Sequence, residues 1–144
     1  MCKLFLTIFS LTLLLPGCAS WSSAPRVATN CSPDTTWSIA LASLQEFELR
    51  RIDKENRVIE TDWIAVRPSR LSGLTERDLN EERARFILTI EPEQGRSIVS
   101  VKQIREFWSP QGVQSRSWRQ IPPNEQQERQ LAARIQGQLK REPC

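Results

Sequence analysis

Histidine is absent from the 144 residues. Without imidazole there is no histidine metal ligand and no histidine base, so hydrolases built on a Ser-His or Cys-His pair are excluded. Serines are plentiful, yet none stands in a Gly-x-Ser-x-Gly elbow. Glycine is scarce, and Gly73, Gly95, Gly112 and Gly137 are isolated, so no phosphate-cradling loop exists. Lysine occurs only at positions 3, 54, 102 and 140, which leaves the basic side almost entirely to arginine. Twenty Lys+Arg against 17 Asp+Glu give +3, too small an excess to signal nucleic acid. The longest apolar run, residues 4–15, falls short of the roughly 20 residues that span a bilayer. A chain this short holds one ordinary domain and excludes a multidomain enzyme. It contains no internal repeat.

What is present begins at the N-terminus. Lys3 precedes an apolar stretch about as long as the core of a signal peptide. It closes on Leu15-Pro16-Gly17-Cys18, which resembles the lipobox of bacterial lipoproteins. The resemblance implies cleavage between Gly17 and Cys18, diacylglycerol on the Cys18 sulfur and a further acyl chain, such as palmitate, on its nitrogen. At about 0.8 kcal/mol per buried methylene, two or more such chains make a stable anchor that does not cross the membrane. Ala19-Ser20 lacks the aspartate that retains enterobacterial lipoproteins in the inner membrane, so the resemblance implies the outer membrane, facing the periplasm. The alternative is an ordinary cleaved signal ahead of a soluble periplasmic protein. Removing residues 1–17 takes away Lys3 and no acid, leaving +2.

Residues 18–31 read as a lipid-anchored flexible tether, because 19–30 are small, polar and aperiodic. In an oxidising compartment Cys2 leaves with the signal and Cys18 is acylated, so Cys31 and Cys144 remain. They either pair, tying the two ends of a domain over 32–144, or stay as free thiols.

Ser32-Pro33-Asp34 reads as a helix start, followed by Trp37, Ala40, Leu41 and Leu44 on one stripe. Residues 47–53 and 57–66 predict a hairpin, with Asn56 supplying the left-handed residue of its turn and a bulge near Arg50-Arg51. Ile59, Thr61, Trp63 and Ala65 are expected on one face of the second strand. A long polar loop over 67–82, ending in a short helical turn at 75–81, leads to a strand over 84–90. After a turn at 92–95 come a long strand over 97–108 and a thin edge strand over 113–120. Pro122-Pro123-Asn124-Glu125 starts the last helix, with Leu131, Ala132, Ile135 and Leu139 as its stripe. The expected fold class is α+β: a two-layer domain with an antiparallel sheet of about five strands and both helices on one face.

The helix with Leu41 and Leu44, the stretch Phe47-Glu48-Leu49-Arg50-Arg51-Ile52-Asp53, and Val58-Ile59-Glu60-Thr61-Asp62-Trp63 together resemble the helix-grip domains of BamC-type lipoproteins. So does the ending, from Arg83 to Ile90 through a Val-rich strand to a closing helix. The resemblance covers about residues 33 to 140, one domain where the family usually has two, and lacks that family's long N-terminal segment. It implies an accessory, non-enzymatic protein of outer-membrane β-barrel assembly that binds another envelope protein and needs no cofactor. The other function class is a lipoprotein that binds lipid or lipopolysaccharide. A third, an enzyme using carboxylates alone, would need a cleft lined by acids of raised pKa.

Two groups of residues are candidates for a site. Glu60 and Asp62, at i, i+2, could hold a cation or form an acid/base pair; the alternative is a solvated strand face paired with arginines of the next strand. Arg105, Trp108, Arg116, Trp118 and Arg119 fall on two adjoining strands, where guanidinium beside indole suits an anionic, partly apolar partner or a protein interface. The alternative there is structural, with the arginines paired to Glu106 and other acids. Trp37 and Trp63 are expected in the core.

Overall fold

The computed structural model describes residues 24–67, 81–108 and 117–144. The expected lipobox residues Gly17 and Cys18, the candidate Arg116 and most of the expected 67–82 loop lie outside them. The elements are β1 (Arg26–Thr29), α1 (Pro33–Ala42), β2 (Leu49–Asp53), β3 (Val58–Thr61), β4 (Ile64–Val66), β5 (Glu81–Glu93), β6 (Arg96–Trp108), β7 (Arg119–Ile121) and α2 (Glu125–Leu139). Among the described residues the fold is α+β, an open antiparallel sheet of seven strands with two helices.

The centre is the β5–β6 hairpin, 13 residues on each side, closed by Gln94-Gly95 with φ of 45° and 81°. Positive φ at both positions is the primed turn that matches strand twist, and Gly95 supplies it without steric cost. Each long strand is flanked by two short ones set end to end. On one side β3 pairs with 87–89 and β4 with 82–84; on the other β1 pairs with 97–100 and β7 with 105–107. β2 adds to β3, with the expected bulge between Leu49 and Arg51.

Period-two alternation assigns the faces. Glu82, Ala84, Phe86, Leu88 and Ile90 of β5 are buried on the inner face, opposite Val99, Val101 and Gln103 of β6. Trp37, Ala40 and Leu44 from α1 and its exit, and Leu131, Ile135 and Leu139 of α2, pack onto this face in one cluster. Ser32 caps α1 through its hydroxyl, and Asn124 caps α2 by accepting from the backbone of Gln126 and Gln127. Among the described residues no helix is long and apolar enough to cross a membrane.

Four expectations change. The tether drawn to residue 31 is too long, because Arg26–Thr29 joins the sheet edge, where Val27 opposite Val99 is buried. β5 begins at Glu81, so the loop expected through 82 ends earlier. The left-handed residue of the β2–β3 turn is Arg57 (φ 53°), not Asn56, whose backbone N–H donates to the Asp53 carboxylate at 2.9 Å. Finally, the strand expected over 57–66 is broken at Asp62-Trp63. Glu60 lies opposite Ile87 but Ile64 opposite Ala84, so the three residues between them on one strand face two on the other. That extra residue reverses the alternation: Ile59 and Thr61 face the core, while Trp63 and Ala65 face out.

Cys31 and Cys144 are joined by a disulfide, with Cα atoms 4.6 Å apart. The bridge ties the entry of α1 to the chain beyond α2. Ser97, buried on β6 between β1 and β5, supports the junction by donating to the Cys31 carbonyl at 3.0 Å.

Candidate functional site

The helix-free outer face of the sheet carries the aromatic and charged groups. Arg83 on β5 lies at its centre. Its Nε and Nη2 donate to one carboxylate oxygen of Glu106, directly across on β6, at 2.8 and 2.6 Å. Its guanidinium carbon is 4.2 Å from the Trp63 ring centroid and 4.0 Å from that of Trp118, so the flat cation is stacked between two indoles. Two positions along the strand, Arg85 lies 4.8 Å from the same Trp63 ring. Glu60 on β3 sits between Arg85 and Arg51 on β2, 3.6 Å from each. The row therefore runs Trp118, Arg83, Trp63, Arg85, Glu60, Arg51 across neighbouring strands, with each cation placed next to a ring or a carboxylate.

Trp63 reaches this row because of the bulge. Without the extra residue the indole would point into the core, as the uninterrupted alternation predicts. The two rings and Arg83 wall a groove of about 360 Å³ that also meets Ala65, Val66 and Glu81. Trp108 ends β6 opposite Glu81 on the same face and is half-buried.

The candidates from the sequence separate. Trp118 joins the stack, and Trp108 lies on the same face. Arg119 is exposed at the start of β7. Arg105 belongs to the inner face, opposite Ala84, where its Nη2 pairs with the Glu82 carboxylate. The Glu82 side chain is wholly buried and that of Arg105 is 13% exposed, so this guanidinium is part of the core rather than of an outer surface. Its Nη1 also reaches the Pro122 carbonyl at 3.4 Å. Glu60 pairs with arginines on both neighbouring strands, the structural alternative, while Asp62 sits in the bulge and accepts from the Trp63 backbone at 2.7 Å. Trp37 is buried as expected; Trp63 is not in the core.

Sequence reasoning missed Arg83, Glu106 as its partner, and a polar plug on the inner side. β1 and β7 leave a gap on the edge of β6, and the Gln103 backbone N–H inside it donates to the buried Glu128 carboxylate of α2 at 2.7 Å. The Gln103 side chain accepts from Asn124 N–H at 2.7 Å and donates to Gln127 at 2.6 Å, fastening the start of α2 to the sheet. A signal for Arg83 existed in its odd-numbered spacing with Arg85 on a strand whose even positions are apolar.

The Asp53 carboxyl is held below its ordinary value. Hydrogen bonds from the Asn56 backbone and side chain, then from Arg51, lower its pKa from 3.8 to about 2. That is the opposite of the raised value a carboxylic acid catalyst requires. Among the described residues no cluster of Cys, Asp and Glu could hold a metal ion.

A second concavity lies between α2 and the sheet, lined by Phe47, Ile64, Phe86, Leu131 and Gln127, with Arg134 at its edge paired to Glu46. Its volume of about 190 Å³ is below the range of about 300–1,000 Å³ usual for ligand pockets. No protein-family model matches the chain, and no curated protein matches it.

Proposed function

We propose that this chain is a non-enzymatic lipoprotein of the envelope, anchored through acyl chains on Cys18 and facing the periplasm from the outer membrane. Its domain, read as a helix-grip variant of the BamC type, binds another envelope protein. The observation that carries this reading is the helix-free sheet face, whose Arg83, Arg85 and Glu60 are already paired and which leaves the surface around Val58 and Ile87, beside the Trp63–Arg83–Trp118 stack, uncovered by either helix. The Cys31–Cys144 disulfide supports an oxidising compartment. The mechanism is tethering: confinement to a membrane raises the effective concentration of the domain for partners in that membrane. Outer-membrane β-barrel assembly is the setting that the BamC resemblance suggests.

The test begins with Cys18→Ala. The unaltered chain is expected to incorporate labelled palmitate and to fractionate with outer membranes, and the variant to do neither. Detergent extraction of the unaltered protein should then bring down one envelope protein in stoichiometric amount. Bound lipid without a protein partner would favour lipid carriage instead, and fractionation with the cytosol would refute the reading.

A further inference from the structure

The described start of the chain and the length of the tether bound where the anchor can lie relative to the sheet. The Val101 N–H donates to the Pro25 carbonyl at 3.0 Å, and from there β1 runs toward the Gln94-Gly95 turn. Ala24 and Pro25 therefore lie on the side of β1 that faces the other end, where β6 finishes at Trp108. Cys18 precedes Pro25 by seven residues, a span of at most about 25 Å when extended. Val101 and Trp108 are also seven residues apart, about 23 Å along a strand. The acylated residue can thus lie level with the Trp108 end of the sheet and cannot lie far beyond it.

Three indoles gather at that end of the outer face: Trp63 at the bulge, Trp108 closing β6 and Trp118 ahead of β7. All three are partly exposed, whereas Trp37 is buried under the sheet's helical cover. Indole has an apolar body and a polar N–H, and it settles at the level of lipid headgroups. Arg83 between two of the rings is matched by Glu106, so the patch offers aromatic surface rather than unbalanced charge.

We propose that this end of the outer face is a second membrane contact, in which Trp63, Trp108 and Trp118 lie against the phospholipid headgroup layer of the bilayer that holds Cys18. The inference rests on acylation of Cys18. A tether of this reach keeps the patch at the surface, so an interfacial affinity too weak to bind a free protein suffices to orient an anchored one. Because the cations are matched within the patch, the contact needs no anionic lipid and resists salt. The remainder of the face, around Val58 and Ile87, stays open to a protein partner.

The experiment uses the acylated mature protein carrying Trp21→Phe, which silences the indole in the tether. It is reconstituted into phosphatidylethanolamine–phosphatidylcholine vesicles, with or without bromine on the acyl carbons nearest the headgroup. Bromolipid should quench tryptophan emission, equally at low and high salt. Replacing Trp63, Trp108 and Trp118 together by Phe should lose most of that quenching, while Trp37→Phe keeps it. Phenylalanine preserves a ring over Arg83, and a thermal melt in detergent verifies the fold of each variant. Protein that floats with the vesicles but emits equally in plain and brominated lipid overturns the membrane contact and leaves the anchor intact. Quenching that survives the triple substitution also overturns it. Protein that neither floats nor carries acyl mass on Cys18 brings down the anchored reading, and this inference with it.

Discussion

Arg105→Ala separates a binding residue from a core residue. The substitution takes from the fully buried Glu82 side chain the guanidinium that it pairs with. Breaking a buried pair from one side costs about 3–5 kcal/mol, because the remaining charge stays desolvated. For a domain of this size that is a fall in Tm of roughly 10–20 °C. Urea and thermal unfolding, followed by circular dichroism with the disulfide intact, measure it. Lys102→Ala, at an exposed position on the opposite face of the same strand, is the control and should shift stability by less than about 0.5 kcal/mol. Replacing both partners, Glu82→Leu with Arg105→Met, should recover most of the loss, since an apolar pair of similar volume carries no desolvation penalty. If Arg105→Ala costs less than about 1 kcal/mol, well short of the buried-pair range, and instead weakens partner capture, then the guanidinium works at a surface and the assignment to the core is wrong.

Two further outcomes follow from the ends and the turn. Reducing the Cys31–Cys144 bridge, or replacing both residues by serine, releases a closed loop with a sequence separation of 113. The chain-entropy account puts this at about 4–5 kcal/mol, read as a lowered urea midpoint, and an unchanged midpoint with both thiols titrated free would contradict it. In the β2–β3 turn, the Asp53 pKa is held at about 2 against 3.8, chiefly by the Asn56 N–H. A depressed value means that the folded state favours the charged form, so the turn's contribution is complete above the unfolded value and is lost as pH falls from 3.8 toward about 2. A carboxyl NMR titration should place the midpoint near 2, and Asp53→Asn should remove the pH dependence of the Asn56 amide. A midpoint near 4 would show that the turn bonds do not form.

The elements with one strong period were legible from the sequence. Ser32-Pro33-Asp34 and Asn124-Glu125 mark helix starts through local chemistry, and Leu131, Ile135 and Leu139 repeat at the spacing of a helix face. The long strands were legible for the same reason, because alternation over many residues admits one reading. What escaped depended on contacts distant in sequence. β1 is four residues with a single buried side chain, and only Val99, some 70 positions later, gives Val27 a reason to be extended. The bulge at Asp62-Trp63 is one residue in the pairing with β5, and it moves an indole from the expected core to the outer face. Arg105 reads as a surface arginine until Glu82 is seen beneath it. Charged residues on a strand do not announce their face when both faces carry charge.

The pairing of charges on the outer face constrains what can cover it. Arg83 is already bonded to Glu106, and Glu60 lies between Arg85 and Arg51. A partner that covers the face need not supply carboxylates to neutralise these cations. An acidic partner would instead compete with Glu106 and Glu60 and leave them unpaired in a desolvated interface, at a cost of several kcal/mol. The indole rings keep most of their value whatever the partner's charge, because removing their surface from water contributes about 25 cal/mol per Å². The complementary surface is therefore nearly neutral, apolar and broad enough to lie across Trp63 and Trp118. Charge reversal at Glu106 then distinguishes cause from coincidence: Glu106→Lys should free the stacked guanidinium and shift binding toward anionic surfaces, whereas Trp118→Ala should weaken binding to every surface alike.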